Sequence, residues 1–586
     1  MVQAPPQNHR HYRAWLAPSL AALLGLLMFF AAFPAYIANP ANLDWIFHKP
    51  SFEYHAMDFH QHYLGWYFLR HATPSFPLGA IPNFVAPLNT YLAYTDSLPL
   101  LAFPLRLISG QLPEDFQYLG IWVVLCCILQ GLFAWRLLRR LISNGLILWS
   151  AVLLLTFSPI LIWRWNHVAL MTHWLLLWCI EINVEHYRDV KLVGAARIPV
   201  WRPVLLIALG SLVQPYLAVM IGGLCWAMPF GRWLQERPRQ SLVRKPQAWI
   251  CATLRLGLVT VVYMIPIVVV MYVFGFLQVS SRGEGFHWFA TDWFSLFNNH
   301  GTSSLIPAFR SKAGLAEGYA WPGLGGWLLL VCALRRKSRQ WIRESLKKYS
   351  IQALVVVCGL MWFFALGERW FFGTFWLVDM SWFWGPFGFI TSSLRTCGRF
   401  VWPGYYLILV GSAVVVSRSY HKSIANKIFV LAVVLQAVDL GPWITNRSLR
   451  YPIYGRQMLT DGFWETEGSK YRHIKLIPPH QEGSRYCYRG PGDRLYEWPE
   501  LARFAAKHHM TINSGYLARY DSKVSFLYCG ADWYEFIAGK LRDDTLYVVR
   551  EPLRNSAHLV GADRVCKTVD GYLVCQPQAQ AKDVTQ

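Results

Sequence analysis

Residues 15–37 read WLAPSLAALLGLLMFFAAFPAYI, a run without one charged side chain. As an unbroken helix, at 1.5 Å per residue, it is about 35 Å long, enough for the roughly 30 Å hydrocarbon core of a bilayer. Arg10 and Arg13 precede it, as basic residues precede a secretory signal. The run is too long for a signal core, and no small-x-small cleavage site is followed by a soluble mature domain, so a retained signal-anchor is expected.

The pattern recurs. Ten more apolar segments lie at about 117–135, 141–162, 168–184, 203–213, 216–231, 256–278, 322–334, 350–367, 401–417 and 427–444, which predicts eleven membrane-spanning helices. Of 586 residues, 54% are hydrophobic and 15% charged, against roughly 25% charged in ordinary domains. The net charge of +22 would suit a nucleic-acid binder, but such a protein does not carry uncharged runs of about 20 residues. Disorder is excluded by 16% aromatics, and a small disulfide scaffold by length and by only 12 Cys.

The charges alternate in side. Arg136, Arg139 and Arg140 follow the second segment, and Arg188, Lys191, Arg197 and Arg202 the fourth. Residues 232–255, 335–348 and 418–427 repeat the pattern after the sixth, eighth and tenth. Basic loops stay in the cytoplasm. The expected protein is therefore a multi-pass membrane protein with the N-terminus cytoplasmic and the C-terminus on the outer side. The segments 203–213 and 216–231, broken at Gln214-Pro215-Tyr216, decide this parity, because one span in place of two would reverse the C-terminal side.

Residues 1–449 thus form a membrane domain with a long first outer loop, 38–116. Within it, residues 98–107 suit a short helix lying along the interface. From 450 to 586 the composition is that of a soluble domain. Strand-like runs at 471–477, 544–549 and 572–575 and a helical piece at 498–508 predict a small α/β or α+β fold. Cys487, Cys529, Cys566 and Cys575 fall here; Cys566 and Cys575 could close a hairpin, or all four could be free thiols. The chain contains no Walker A sequence, no GxGxxG opening a helix, no GxSxG and no zinc-ligand spacing. A transporter would be expected to carry charges within its spans and two similar halves; only Glu181 and Asp439 lie near span ends.

The signal-anchor, the long acidic first outer loop, about eleven spans and an outer C-terminal domain resemble the GT-C superfamily, membrane glycosyltransferases that use polyprenyl-phosphate-linked sugar donors. The motifs are similar to those of an uncharacterised bacterial family of polytopic membrane proteins. They are residues 58–66 (DFHQHYLGW), 94–99 (YTDSLP), Asn166-His167 through His173-Trp174, Glu317-Gly318-Tyr319, Arg395 through Arg399-Phe400-Val401-Trp402-Pro403, and residues 512–516 (INSGY). The GT-C resemblance implies transfer of a sugar, with inversion, from the lipid-linked donor to a glycan, glycolipid or protein acceptor on the periplasmic face. It implies no cofactor and no nucleic-acid partner. The rival readings are a lipid or polysaccharide transporter or flippase, and a non-catalytic partner in envelope polysaccharide assembly.

In GT-C enzymes an acidic residue of the first outer loop acts as base or positions the acceptor, and the matching position is Asp58. A carboxylate within hydrogen-bond reach of the attacking hydroxyl is what that chemistry needs. Asp58 reads equally as a solvated or helix-capping residue. Asp96 is the second catalytic candidate, or else the N-cap of the helix that follows. A lipid phosphate needs charge-assisted donors, and the outward cations near membrane ends are Arg164, His167, Arg282, Arg395 and Arg399. With cations on the leaving phosphate no metal is required. Arg395 and Arg399 would share one face if their segment is helical. Outer arginines can also merely snorkel to headgroups. Sugar or acceptor contacts are assigned to His60, His62, Glu284 and Glu317, the two histidines reading otherwise as structural. The aromatic cluster at 370–384 suits a membrane interface, or a groove for a prenyl chain or sugar.

Overall fold

The structure is a computed structural model that describes residues 8–47, 56–88, 90–193, 200–236, 246–278, 285–449, 458–479, 498–518, 522–550 and 564–578. The chain is mainly helical. Among the described residues, eight helical stretches are long and apolar enough to cross a membrane: Trp15–Ala32, Leu119–Leu138, Gly145–Asn166, Val168–Tyr187, Pro215–Glu236, Pro246–Val273, Cys397–Ser419 and Lys422–Asn446. These are the helices of a multi-pass membrane protein.

The other three expected spans are also helical, but short. Trp201–Val213 and Gly323–Leu334 have 13 and 12 residues, and a 12-residue helix covers only about 18 Å. Tyr349–Ala365 follows the basic helix Arg336–Leu346 at a bend of 100°. Length and composition therefore support eight spans, or nine with the bent pair, rather than eleven. At the Gln214 break the backbone is extended, and the Gln214 side chain accepts the Tyr216 N–H at 2.7 Å, capping the second helix. That helix runs to Glu236, beyond the expected 231, where the carboxylate pairs with Arg232 at 2.6 Å.

Two carboxylates inside spans have structural partners. Glu181 receives Arg136 at 3.2 Å and Arg140 at 2.9 Å. Asp439 accepts the Ser303 hydroxyl and, at 3.0 Å, the Leu324 N–H, an otherwise orphaned donor at the start of Gly323–Leu334.

The chain divides into two compact units. The first comprises Met1–Asn39, Gly120–Val268 and Arg282–Tyr451; the second, Pro40–Leu119, Val269–Ser281 and Pro452–Gln586. The first contains a hairpin, β1 (Arg369–Phe372) and β2 (Phe375–Asp379). In the second, β3 (His473–Ile477), β4 (Thr511–Ile512), β5 (Thr545–Val549), β6 (Arg564–Val569) and β7 (Tyr572–Pro577) form one sheet in the order β4-β3-β5-β7-β6. β3 runs parallel to β4 and β5, and β7 antiparallel to β5 and β6. Ile477, Tyr547, Val549 and Cys575 bury one face with Phe536 of the helix Ser522–Ile537. The helix Trp498–Lys507 forms as expected. Cys566 and Cys575, opposite each other on β6 and β7, are disulfide-bonded. Cys487 and the Cys529 side chain lie outside the described residues.

The long loop 38–116 joins this sheet. Ile512 of β4 donates to the Asn83 carbonyl at 3.0 Å and accepts from the Ala86 N–H at 2.8 Å. The helix Ala56–His71 packs against Trp498–Lys507, and Arg503 meets Asp115 at 2.8 Å. The loop is thus part of a folded unit with the C-terminal residues, although nearly 400 positions separate Asp115 from Arg503.

Candidate functional site

Two constellations hold the candidate residues, one in each unit. In the first, three short turns at helix ends converge. Arg164 lies in the turn Arg164–Asn166 after Pro159–Trp163, Glu317 in Ala313–Gly318, and Arg399 in Cys397–Phe400, which runs directly into the helix Val401–Ser419. Arg164 Nη1 donates to Glu317 Oε2 at 2.8 Å, and Arg399 Nε donates to the same oxygen at 2.9 Å. Arg164 Nη2 adds the Glu317 and Ala316 carbonyls at 2.7 and 3.2 Å.

Two glycines permit this approach. A Cβ on Gly398 would stand 2.6 Å from the Ala290 carbonyl oxygen and 2.8 Å from the Gly318 nitrogen, and one on Gly318 would stand 2.3 Å from the Thr291 side chain. These contacts are closer than real Cβ atoms tolerate; at Gly398 they are with backbone, which cannot swing aside, so a larger residue there would force its turn away from Ala313–Gly318.

The electrostatics follow from burial. Arg164 and Arg399 are only 3% and 6% exposed. Burial alone would push the Glu317 carboxyl up, but Arg164, Arg399 and then His167 outweigh it and hold the group far below the usual carboxylate range. Glu317 therefore stays ionised, and the triad keeps a surplus of one positive charge. Aromatic rings line it: Arg164 sits 5.3 Å from the Trp402 ring and Arg399 5.0 Å from Tyr216. His173 stands 4.5 Å from Trp402, with Nδ1 2.9 Å from the Tyr406 hydroxyl. A buried, ring-walled surplus of one positive charge can hold one negative group, and Arg164 Nε is a buried donor with no hydrogen-bond partner among the described residues.

Arg395 does not join it. Residues 394–396 are not helical, so Arg395 and Arg399 share no helix face, and Arg395 lies half-buried with its guanidinium 5.9 Å from the Phe289 ring. Arg282 and Glu284 lie outside the described residues. The structure also adds Asp292, a buried carboxylate in the loop before Glu317 that burial pushes up to about 6. Sequence gave no cue to it beyond its acidic type.

The second constellation is in the loop 38–116. Asp58 is half-buried in the first turn of Ala56–His71, where a negative charge also suits the helix N-terminus. His60 is buried with its ring 5.5 Å from Phe47 and 6.0 Å from Trp498. His62, fully buried, turns Nδ1 toward the carbonyls of Asp96 at 2.9 Å and Thr95 at 3.2 Å, and burial lowers its pKa. It is a neutral strut between the helix and the 94–98 turn. Asp96 lies half-buried at φ +51 and supplies a backbone acceptor to that strut.

The expected N-cap on the next helix is absent. Leu98, at φ +48, is the N-cap of Pro99–Leu107, and no side chain caps it. Pro99 at the first helical position has no N–H to satisfy. The Ser97 hydroxyl instead donates to the His62 carbonyl at 2.6 Å. Among the described residues no group of three His, Cys, Asp or Glu side chains could hold a metal.

Residues 22–441 match a family described as a domain of unknown function, DUF6311, and residues 463–577 match the DUF6311 C-terminal domain. The chain therefore belongs to this uncharacterised family. No curated protein matches it.

Proposed function

We propose that this DUF6311-family protein is an integral membrane glycosyltransferase of the GT-C type, acting on the outer face of a bacterial plasma membrane. In this reading all eleven apolar helices serve as passes or half-passes, the N-terminus is cytoplasmic and the C-terminal domain periplasmic. The alternating basic loops support that sidedness, and so does the Cys566–Cys575 disulfide, which an oxidising compartment favours.

The observation that carries the reading is the Arg164–Glu317–Arg399 triad: buried cations at helix ends with a surplus of one charge and aromatic walls. A lipid-linked sugar phosphodiester carries one negative charge and gains a second as the sugar leaves. The acceptor hydroxyl attacks the anomeric carbon and loses its proton to a general base, a role given to Asp58 by the GT-C resemblance alone. The bond to the phosphate oxygen breaks, with the electron pair leaving on the phosphate, and single displacement inverts the centre. Guanidinium donors are worth most where charge develops in a low-dielectric site.

A transporter would use charged groups within its spans, but Glu181 and Asp439 are engaged in a two-arginine pairing and a helix cap. That favours the enzyme over the transporter. In cells, deletion of the protein should shift the mass of one envelope glycan or glycolipid. Asp58→Asn, present in membranes at wild-type level, should reproduce the shift. An unchanged glycan profile on deletion would sink the enzyme, and a normal profile with Asp58→Asn alone would sink the role of Asp58.

A further inference from the structure

Between Tyr349–Ala365 and the span that opens at Cys397, the chain forms a hairpin whose surface does not suit water. β1 and β2 pair antiparallel, with Phe372 opposite Phe375 and Arg369 opposite Asp379, across a Gly373-Thr374 turn in which Gly373 takes φ +62. The charged pair stands at the base. Beyond it, residues 370–378 read WFFGTFWLV, and residues 380–394 read MSWFWGPFGFITSSL, neither with an ionisable side chain.

A ribbon lying on a protein surface in water buries every second side chain. Along β2, Phe375, Trp376, Leu377 and Val378 are 71%, 61%, 52% and 41% exposed, so both faces are apolar and uncovered. Trp382 and Phe389 continue the exposed surface. The segment is held on the protein side, where Phe371 and Trp384 are buried with Phe286, Leu315 and Cys397, the Phe371 carbonyl accepts the Trp293 N–H at 3.0 Å, and Lys312 Nζ lies 4.0 Å over the Phe371 ring.

We infer that residues 370–390 form an interfacial anchor whose tip lies in the headgroup–acyl boundary of the leaflet reached by the flanking helices, with lipid covering its exposed side chains while Phe371 and Trp384 pack into the protein. The occupant is lipid because the segment is continuous with membrane-crossing helices. Its tryptophans are the residues that settle at that boundary, and its charges, Arg369, Asp379 and Lys312, are confined to the base or flank. A two-stranded ribbon has open backbone edges that the hydrocarbon centre does not satisfy but hydrated headgroups do, so the depth is shallow, about 5–10 Å. The inference does not depend on the sugar chemistry proposed above.

Hydroxyl-radical footprinting of the wild-type protein in lipid nanodiscs tests it without a variant. Trp376 and Trp382 should oxidise several-fold more slowly than the exposed Tyr534 of the C-terminal domain, although indole is intrinsically the more reactive ring. Trp376→p-benzoylphenylalanine should then give lipid adducts on irradiation, as should the same replacement of the exposed Leu258 within Pro246–Val273. Fast oxidation of both tryptophans would overturn the anchor. So would protection accompanied by adducts to protein alone, which would assign the surface to a second polypeptide.

Discussion

Replacing Glu317 by Gln isolates one term of the buried triad. The amide keeps the size of the side chain and an oxygen to accept one arginine, so packing changes little while one charge is lost. Both arginines donate to the same oxygen, at 2.8 and 2.9 Å, and both are almost completely buried. Without the carboxylate the cluster passes from a surplus of one positive charge to two. Removing one partner of a buried ion pair costs about 3–5 kcal/mol. At roughly 1–2 °C per kcal/mol for a unit of more than 250 residues, the melting temperature should fall by about 3–10 °C. Tryptophan fluorescence during heating in nanodiscs measures this.

The same variant probes binding. Undecaprenyl phosphate should raise the melting temperature of Glu317→Gln more than that of the wild type, because the anion now meets twice the surplus. The pH dependence has a definite sign. A depressed carboxyl pKa contributes stability that is full above the unfolded value of about 4.5 and is lost as pH falls below it. Glu317→Gln should lack that slope. A melting temperature within about 1 °C of wild type would refute the claim that Glu317 neutralises these arginines. A lowered melting temperature without extra stabilisation by the lipid phosphate would refute the claim that the arginines face a ligand.

Three further outcomes follow from particular contacts. Gly65→Ala would place a Cβ 2.0 Å from Thr95 Oγ1 and 2.3 Å from Ser97 Oγ; overpacking of this kind costs about 1–3 kcal/mol, and denaturant unfolding of the second unit should show it. Asp292 has a raised folded pKa, about 6 against 3.8, so its contribution is most favourable below about pH 3.8 and is lost as pH rises toward 6. The loss is at most about 3 kcal/mol at neutral pH. Asp292→Asn should therefore gain stability over wild type at pH 7.5 but not at pH 4, and parallel melting curves at the two pH values would refute the assignment. Reducing Cys566–Cys575, which closes a loop of 9 positions, should lower the stability of the C-terminal sheet by about 2–3 kcal/mol. Alkylation before and after reduction, counted by mass, checks that the bond exists in the isolated protein.

What the sequence reveals about this chain is what local chemistry writes. An apolar run of 20 residues is legible because no other environment tolerates it, and every one of the eleven segments is helical. Whether a 12-residue helix such as Gly323–Leu334 crosses alone is not local, because its free N–H groups are satisfied by Asp439 and Gln436, more than 100 positions away. The triad has the same character. Arg164 and Glu317 are 153 residues apart, and Glu317 and Arg399 are 82 apart. Residue type and side of the membrane could nominate all three, but nothing along the chain joins them. The face shared by Arg395 and Arg399 was a local inference, and it fails where the backbone leaves the helix at residues 394–396.

The glycines of the quoted motifs were the more informative signal, although their meaning appears only in three dimensions. Gly318 and Gly398 flank Glu317 and Arg399 and leave the space in which the two turns meet. Gly65 does the same for the helix that carries Asp58, admitting the Thr95 and Ser97 hydroxyls against its backbone. In both constellations a residue without a side chain stands beside the charged or hydroxyl groups that the chemistry would use. Charged residues at membrane edges have an ordinary explanation in headgroup contact, and each alone says little about function. A charged residue next to a glycine that only close backbone approach requires is different, because that approach stabilises one arrangement of the charge. By this criterion Arg399 and Glu317 are held in one arrangement. Arg395 has no glycine beside it of this kind and lies half-buried with its guanidinium 5.9 Å from the Phe289 ring.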